Sequence, residues 1–435
     1  MAGDVLGRAV ENPLVRGGLT ITAGLLAGNL LGFFRVAATA YLLGTRSDAD
    51  SLAVPMGFVD AVNPVLINTV IFAFVPMLAA RSGAARTALF QQLKRLFIPA
   101  FSVLTLTVAV LAPWLIRALA PGLAAGPAAT SVVILRIVAL SSTAAGAGAL
   151  YAALLFTERR FAPASFHQAI LNVFTIAGAL LLWTSLGVYG FAIGYALGAW
   201  AQLAVVYIAV GRTTEEPARC DADWRELVAK PAAFLLYGGL IASNLLVTRA
   251  YATHIGPGMA AALDYCMRCI NVPLAYLISP ISNSLLPEIA RLRSRSQVRE
   301  AVNLIDKTAG FIATAAIAAC LVGIALREPL IALLFERGSF TPHSTRLVAD
   351  VFLGLAPTLI GWSLLELTAR SLFALDRPWL PVRAALVPVA LNIAFVLLVP
   401  AHTPRLIGLG ASVGLFVGFA LLFGWMQTGR RRWTA

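Results

Sequence analysis

Charge is scarce in this sequence: only 12% of its 435 residues are Asp, Glu, Lys or Arg, against roughly a quarter in soluble proteins. That scarcity excludes the surface of an ordinary soluble enzyme. Cysteine is scarce as well. Cys220, Cys266, Cys269 and Cys320 form neither a disulfide framework nor a paired metal-ligand set, so no metal and no cofactor are expected. His167, His254, His343 and His402 are scattered, which argues against a clustered site. Polar connections are too short to hold a sizeable soluble domain. Acidic residues number 20 against 33 basic ones, a net charge of +13. In so apolar a chain that excess reports loops beside anionic lipid rather than a nucleic-acid partner. The opening stretch, Met1 to Arg16, is polar, and the apolar run behind it is too long for a signal h-region. The first helix is therefore expected to stay in the membrane.

What is present is hydrophobicity, at 59% of residues and a mean hydropathy of +0.84. A spanning helix needs about 20 mostly apolar residues. Reading apolar runs against Gly, Pro and charge punctuation gives helices over 17–43, 51–79, 96–118, 131–156, 164–186 and 188–210. A polar loop, Gly211 to Lys230, follows. Six more helices are expected over 232–254, 261–289, 307–326, 346–373, 379–400 and 406–427. The expectation is an all-α integral membrane protein of about twelve helices, with an N-lobe over 1–215 and a C-lobe over 216–435. With the N-terminus inside, 22 of the 33 Lys and Arg fall on the cytoplasmic side and 6 on the other. The positive-inside rule then places both termini in the cytoplasm.

The two halves repeat each other. Asn29-Leu30-Leu31 followed by Arg35 returns as Asn244-Leu245-Leu246 followed by Arg249. Pro76, where the second helix exits, matches Pro287, where the eighth does. Asn172 corresponds to Asn392, and Gly190 and Gly194 correspond to Gly410 and Gly414. Each copy holds an even number of helices, so both point the same way and the implied axis lies along the membrane normal. Two parallel six-helix lobes facing a central cleft is a transporter architecture.

A charge inside a spanning helix costs about 2.5 to 3.5 kcal/mol even on the lenient insertion scale, so each one there needs a reason. Arg35, Arg249 and Arg268 lie about 6 to 12 Å from the outer ends of their helices. They either snorkel to the interface or share a cationic zone in the cleft, suited to phosphate or pyrophosphate through bidentate donors. Asp50 and Asp264 correspond in the repeat and read as helix caps. Asp60 sits inside the second helix beside Asn63. With Asn29, Asn244 and Asn271 these side chains serve either interhelical hydrogen bonds or recognition of sugar hydroxyls. Pro55, Pro64, Pro273 and Pro280 are expected to break the second and eighth helices. Asp48-Ala-Asp50 and Asp221-Ala-Asp223 have metal-pair spacing, but in settings too small for a nucleotide domain. Cys266 and Cys269 read as buried apolar thiols.

The chain resembles the MurJ (MviN) lipid-II flippases of the multidrug, oligosaccharidyl-lipid and polysaccharide (MOP) exporter superfamily along nearly its whole length. LLGFFR at 30–35, FVPML at 74–78, LLFTERRFAPAS at 154–165, MRCINVP at 267–273, LFERGSF at 334–340 and RSLFALDRP at 370–378 carry the resemblance. It implies a MATE-like fold and no enzyme activity. It implies a flippase that moves an undecaprenyl-pyrophosphate-linked glycan, lipid II or a surface-polysaccharide precursor, across the bacterial inner membrane by alternating access. The partners it implies are that lipid-linked glycan and membrane lipids, with coupling to an ion or the membrane potential.

Arg35 and Arg268 match two of the family's cavity arginines. Asn29 and Asn63 stand where the family usually has further arginines, and Asn271 stands where it often has an acidic residue. The family typically carries two helices beyond twelve. The competing reading is a multidrug or cation antiporter of the same superfamily, for which Asp60 and Glu366 are the available deep carboxylates.

Overall fold

A computed structural model describes residues 13–211 and 224–433. Cys220 and the Asp221-Ala-Asp223 pair lie outside the described residues. Each segment expected to be helical is mostly helical where described, with interruptions in the fifth, eighth and tenth. The elements are α1 (Pro13–Leu43), α2 (Ser47–Ala79), α3 (Gly83–Leu119), α4 (Ala125–Thr157), α5 (His167–Leu181) and α6 (Tyr189–Val210). There follow α7 (Trp224–Ile255), α8a (Met259–Pro273), α8b (Ser279–Ser294), α9 (Val298–Ala325), α10a (Pro342–Leu355), α10b (Thr358–Ala374), α11 (Trp379–Leu398) and α12 (Leu409–Trp433).

Among the described residues ten helices are long and apolar enough to cross a membrane, or eleven if α10a and α10b, bent by 44°, form one span. The sequence reading expects about twelve, and the fifth is the one that falls short of that length. The fifth expected span, 164–186, is three pieces: Phe161–Ser165, α5 of 15 residues, and Trp183–Leu186. Gly187, at φ 54°, ends the run.

Proline acts unequally. α2 runs unbroken through Pro55, Pro64 and Pro76, contrary to the expectation for the first two. The eighth helix does break: α8a ends at Pro273, a π-helical turn covers Leu274–Ile278, and Pro280 sits in the first turn of α8b. A proline is harmless in a first turn, where its missing N–H has no helical partner; within a helix it removes one hydrogen bond, and at Pro273 a wider turn follows. The bend in α10 falls at Ala356-Pro357 for the same reason.

The helices cluster into two compact units. Unit 1 comprises Met1–Ala38, Pro55–Ile116 and Ala129–Leu235; unit 2 comprises Thr39–Val54, Arg117–Ala128 and Leu236–Ala435. In unit 1, α4 is buried far more deeply than α3. Phe74, Leu78, Leu89, Phe90, Leu93 and Leu155 are fully buried members of the unit's hydrophobic core. The outward face of α3 shows Val103, Leu106, Val110 and Trp114, each more than half exposed at helical spacing. An apolar stripe of that kind belongs against hydrocarbon, since in water it would be a large exposed patch.

Glycine sets the close contacts within each unit. A Cβ on Gly194 in α6 would stand 2.5 Å from the Phe174 oxygen and 3.0 Å from the Gly178 Cα, both in α5. In unit 2 a Cβ on Gly414 in α12 would stand 2.7 Å from the Pro388 oxygen in α11. Small residues at these helix pairs let backbones approach, the main route to affinity between helices in lipid.

Unit 2 also takes in the α1–α2 turn. The Tyr265 hydroxyl donates to the Gly44 oxygen at 2.7 Å, and the Ser339 amide donates to the Tyr41 oxygen at 2.8 Å. The buried Asp50 carboxylate accepts from the amides of Gly258 (2.5 Å) and Ala261 (2.9 Å). Asp50 thus caps α8a rather than its own helix, satisfying N–H groups that a helix start leaves orphaned.

Candidate functional site

Four of the residues singled out by sequence fall in unit 1 and four in unit 2. In unit 1, Arg35 of α1 is brought to Asp60 of α2. Its Nη2 donates to Oδ2 at 2.8 Å. The Arg35 side chain is 16% exposed and that of Asp60 39%, so the pair is closed on the arginine side and open on the carboxylate side. Tyr195 of α6 completes the cluster. Its hydroxyl donates to the other carboxylate oxygen, Oδ1, at 3.1 Å, and its ring lies 5.7 Å from the Arg35 guanidinium carbon. That contact adds a cation–π attraction.

Asn63, one turn from Asp60, is buried. It donates to Ser141 Oγ at 2.9 Å and accepts from Ser142 Oγ at 2.8 Å. It therefore ties α2 to α4, with both of its amide atoms engaged by side chains. Asn29 is half-buried in α1.

In unit 2, Arg249 of α7 is 1% exposed. Its Nη1 and Nη2 meet Asp264 Oδ2 and Oδ1 at 3.1 and 2.5 Å, and Nη1 also donates to the Ala53 oxygen at 2.6 Å. A bidentate pair is the strong form of Arg–carboxylate contact. Asp264 and Arg268 stand four residues apart, and Arg268 and Asn271 three apart, so α8a carries all three on one face. Arg268 and Asn271 are half-buried. Asn244 is buried and accepts from Asn392 Nδ2 at both its backbone oxygen (2.9 Å) and its side-chain oxygen (2.7 Å).

The repeat in sequence is therefore not a repeat in pairing. Arg35 takes its carboxylate from the middle of α2, whereas Arg249 takes its own from the first turns of α8a, at the position that matches Asp50. One cation is partly accessible and the other is sealed.

Sequence reading missed Tyr195. Its signal was a lone phenol in the glycine-rich, otherwise apolar run Gly190 to Ala199, and a buried Tyr hydroxyl needs a partner. It also passed over Tyr237 and Arg370. Tyr237 donates to Glu366 Oε2 at 3.2 Å, and Arg370 Nε donates to Glu366 Oε1 at 2.7 Å. Glu366 is thereby paired within unit 2. Cys266 is buried, with its thiol donating to the Val348 oxygen at 3.2 Å, and among the described residues no three His, Cys, Asp or Glu gather as a metal site.

An all-α bundle of apolar spans with paired charges set inside them defines a multi-pass membrane protein. Solved structures of two such proteins have the same fold. One is a lipid II flippase MurJ in an inward closed conformation, with a TM-score of 0.78 at 18% identity over 95% of this chain and 91% of that one. The other is an inward-facing MATE multidrug resistance transporter, with a TM-score of 0.77 at 13% identity over 93% and 95%.

The family profile described as "Lipid II flippase MurJ" matches residues 39–434. A probable lipid II flippase MurJ of Rhizobium meliloti (strain 1021) is 27% identical over 94% of this chain and 80% of its own length. The chain belongs to the MurJ family of the MOP superfamily. Proteins of this family are transporters and not enzymes.

Proposed function

We propose that this protein is a flippase for a lipid-linked glycan carried on undecaprenyl pyrophosphate, either lipid II or a surface-polysaccharide precursor. It acts in the bacterial inner membrane with both termini in the cytoplasm. The match of the family profile over 39–434 carries this reading. On it, twelve helices form an N-lobe over 1–215 and a C-lobe over 216–435, which rock about a central cleft to give alternating access. The lipid headgroup supplies the coupling by binding the inward and outward states unequally.

Arg35 and Arg268 are the headgroup contacts, since both are arginines at partly accessible positions where a pyrophosphate could be held by bidentate donors. Asn29 and Asn271, both half-buried, are the proposed contacts to sugar hydroxyls. Asn63 and Asn244 act by holding helices together. Arg249 joins the site only in a conformation that opens its pair with Asp264.

The test is native mass spectrometry of the purified protein with undecaprenyl-pyrophosphate lipids, comparing wild type with Arg35→Ala and Arg268→Ala. Retention of a pyrophosphate lipid by wild type and its loss from both variants is the expected result, and the lipid mass identifies the glycan. A folded wild-type protein that retains no such lipid overturns the reading and favours the multidrug antiporter.

A further inference from the structure

We propose that Lys94, Tyr151 and Tyr207 form a binding site for the headgroup of an anionic phospholipid, with the Lys94 ammonium holding its phosphate. The site belongs to unit 1 but not to the Arg35 cluster. Tyr207 stands twelve residues along α6 from Tyr195, about 18 Å of helix.

Three helices build it. Lys94 of α3 places its Nζ 5.1 Å from the centre of the Phe90 ring, one turn back on the same helix, and 5.7 Å from that of Tyr151 in α4. The Tyr151 ring meets Phe90 edge-on at 5.4 Å and Tyr207 of α6 edge-on at 5.5 Å. Phe90 and Tyr151 are buried, whereas Tyr207 is 59% exposed and its neighbour Ile208 73%. Tyr151 thus joins a cation on α3 to a phenol on the outward face of α6.

What the ammonium lacks is an anion. Of the unit 1 carboxylates whose side chains are described, Asp60 pairs with Arg35 and Glu158 with Arg160. Nearby guanidinium groups turn to backbone oxygens: Arg81 to Met77, Arg86 to Leu78 and Arg81, and Arg160 to Ala209. Among the described residues Lys94 has only ring faces. A cation–π contact uses the charge of an ammonium and leaves its three N–H donors unspent.

Depth in the membrane selects the ligand. On the spans read from sequence, Lys94 stands just outside 96–118, while Tyr151 and Tyr207 stand within five residues of the ends of 131–156 and 188–210 on the same side. That is the level of an aromatic belt, where lipid phosphates lie. A phosphate oxygen accepts from an ammonium in a charge-assisted bond. Arg95 follows in the chain and is exposed, so the local charge opposes the cation of a zwitterionic headgroup and favours a net negative one. A glycerol headgroup adds hydroxyls for the exposed Tyr207 phenol. Phosphatidylglycerol meets both demands.

The first test reads Lys94 directly in the full-length protein in detergent, by amine labelling with added phosphatidylglycerol or phosphatidylcholine. The chain holds three lysines, Lys94, Lys230 and Lys307, so peptide mapping follows each, and the exposed Lys307 is the internal reference. Phosphatidylglycerol is expected to slow labelling of Lys94 about tenfold relative to Lys307, and phosphatidylcholine to leave it unchanged. Native mass spectrometry then compares wild type with Lys94→Met, which keeps an apolar stem against the rings, and Lys94→Arg, which keeps the charge. The first phosphatidylglycerol is expected to bind Lys94→Met about tenfold more weakly, and Lys94→Arg close to wild type. Labelling of wild type decides the matter should Lys94→Met fail to fold.

If phosphatidylglycerol leaves Lys94 labelling unchanged, or slows Lys94 and Lys307 equally, or binds Lys94→Met as it binds wild type, the site is overturned. Undecaprenyl pyrophosphate separates the two sources of lipid phosphate. Its retention is expected to be unchanged in Lys94→Met. Protection of Lys94 by undecaprenyl pyrophosphate and not by phosphatidylglycerol would place the lysine on the path of the transported lipid, overturning the phospholipid site while the flippase reading stands.

Discussion

Asn392 reaches from α11 to the backbone oxygen of Asn244 in α7, with its Nδ2 at 2.9 Å. Asn172 does the same from α5 to the Gly28 oxygen in α1, at 3.0 Å. These two asparagines correspond in the internal repeat, and within each unit they pin a late helix to the first helix of the same half. The donor in unit 2 is the better supplied: Asn392 Nδ2 also lies 2.7 Å from Asn244 Oδ1 and 3.0 Å from Thr248 Oγ1. Interhelical hydrogen bonds in membranes average about 0.6 kcal/mol and reach about 1.7. Asn392→Ala is therefore expected to cost about 1 to 2 kcal/mol and Asn172→Ala about 1 or less. Thermal unfolding in detergent should show the larger fall in Tm for Asn392→Ala. Equal shifts for the two would show that the extra acceptors contribute nothing.

The pairing of the sealed Arg249 with Asp264 makes a prediction about charge. Removing one partner of a buried ion pair strands the other and costs about 3 to 5 kcal/mol, whereas replacing both by neutral groups is far milder. Asp264 is 30% exposed on its side chain, so its own removal of charge relieves little. Asp264→Asn leaves a fully buried guanidinium without its carboxylate and is expected at the severe end. The double variant Arg249→Met with Asp264→Asn should be more stable than Asp264→Asn alone, as measured by the fraction of monodisperse protein after heating. A double variant less stable than the single would refute the desolvation argument.

Close helix packing predicts unequal tolerance of glycine substitution. Gly194→Leu must push α6 from α5, because even a Cβ there meets the Phe174 backbone oxygen at 2.5 Å. Nothing lies within 4 Å of a Cβ on Gly239, so Gly239→Ala is expected to be neutral or to gain up to about 1 kcal/mol from helix propensity. The melting temperatures of the two variants should move in opposite directions, or only the first should move. A neutral Gly194→Leu would mean that α5 and α6 do not need their close approach.

The apolar runs determined that the chain is a multi-pass membrane protein, because only helices satisfy their own backbone in hydrocarbon. Periodicity and punctuation also placed the helices, closely at most C-terminal ends but late at several starts, as α3 at Gly83–Leu119 against 96–118 shows. Interruptions were less legible. Pro64 and Pro273 look alike in sequence, yet α2 continues and α8a stops, since the neighbours that accommodate a freed carbonyl are set by packing.

The candidate charges were legible as residues that needed a reason, because lipid makes every unpaired ion costly. Which reason applied was not. The repeat gave Arg35 and Arg249 equivalent places in the chain. Only the tertiary structure decided that one sits half-open against Asp60 and Tyr195 while the other is enclosed by Asp264 and the Ala53 carbonyl. Partners separated by 25 residues in one case and 15 in the other come from different helix turns. An arginine's role in a bundle is fixed by which carboxylate the packing brings to it.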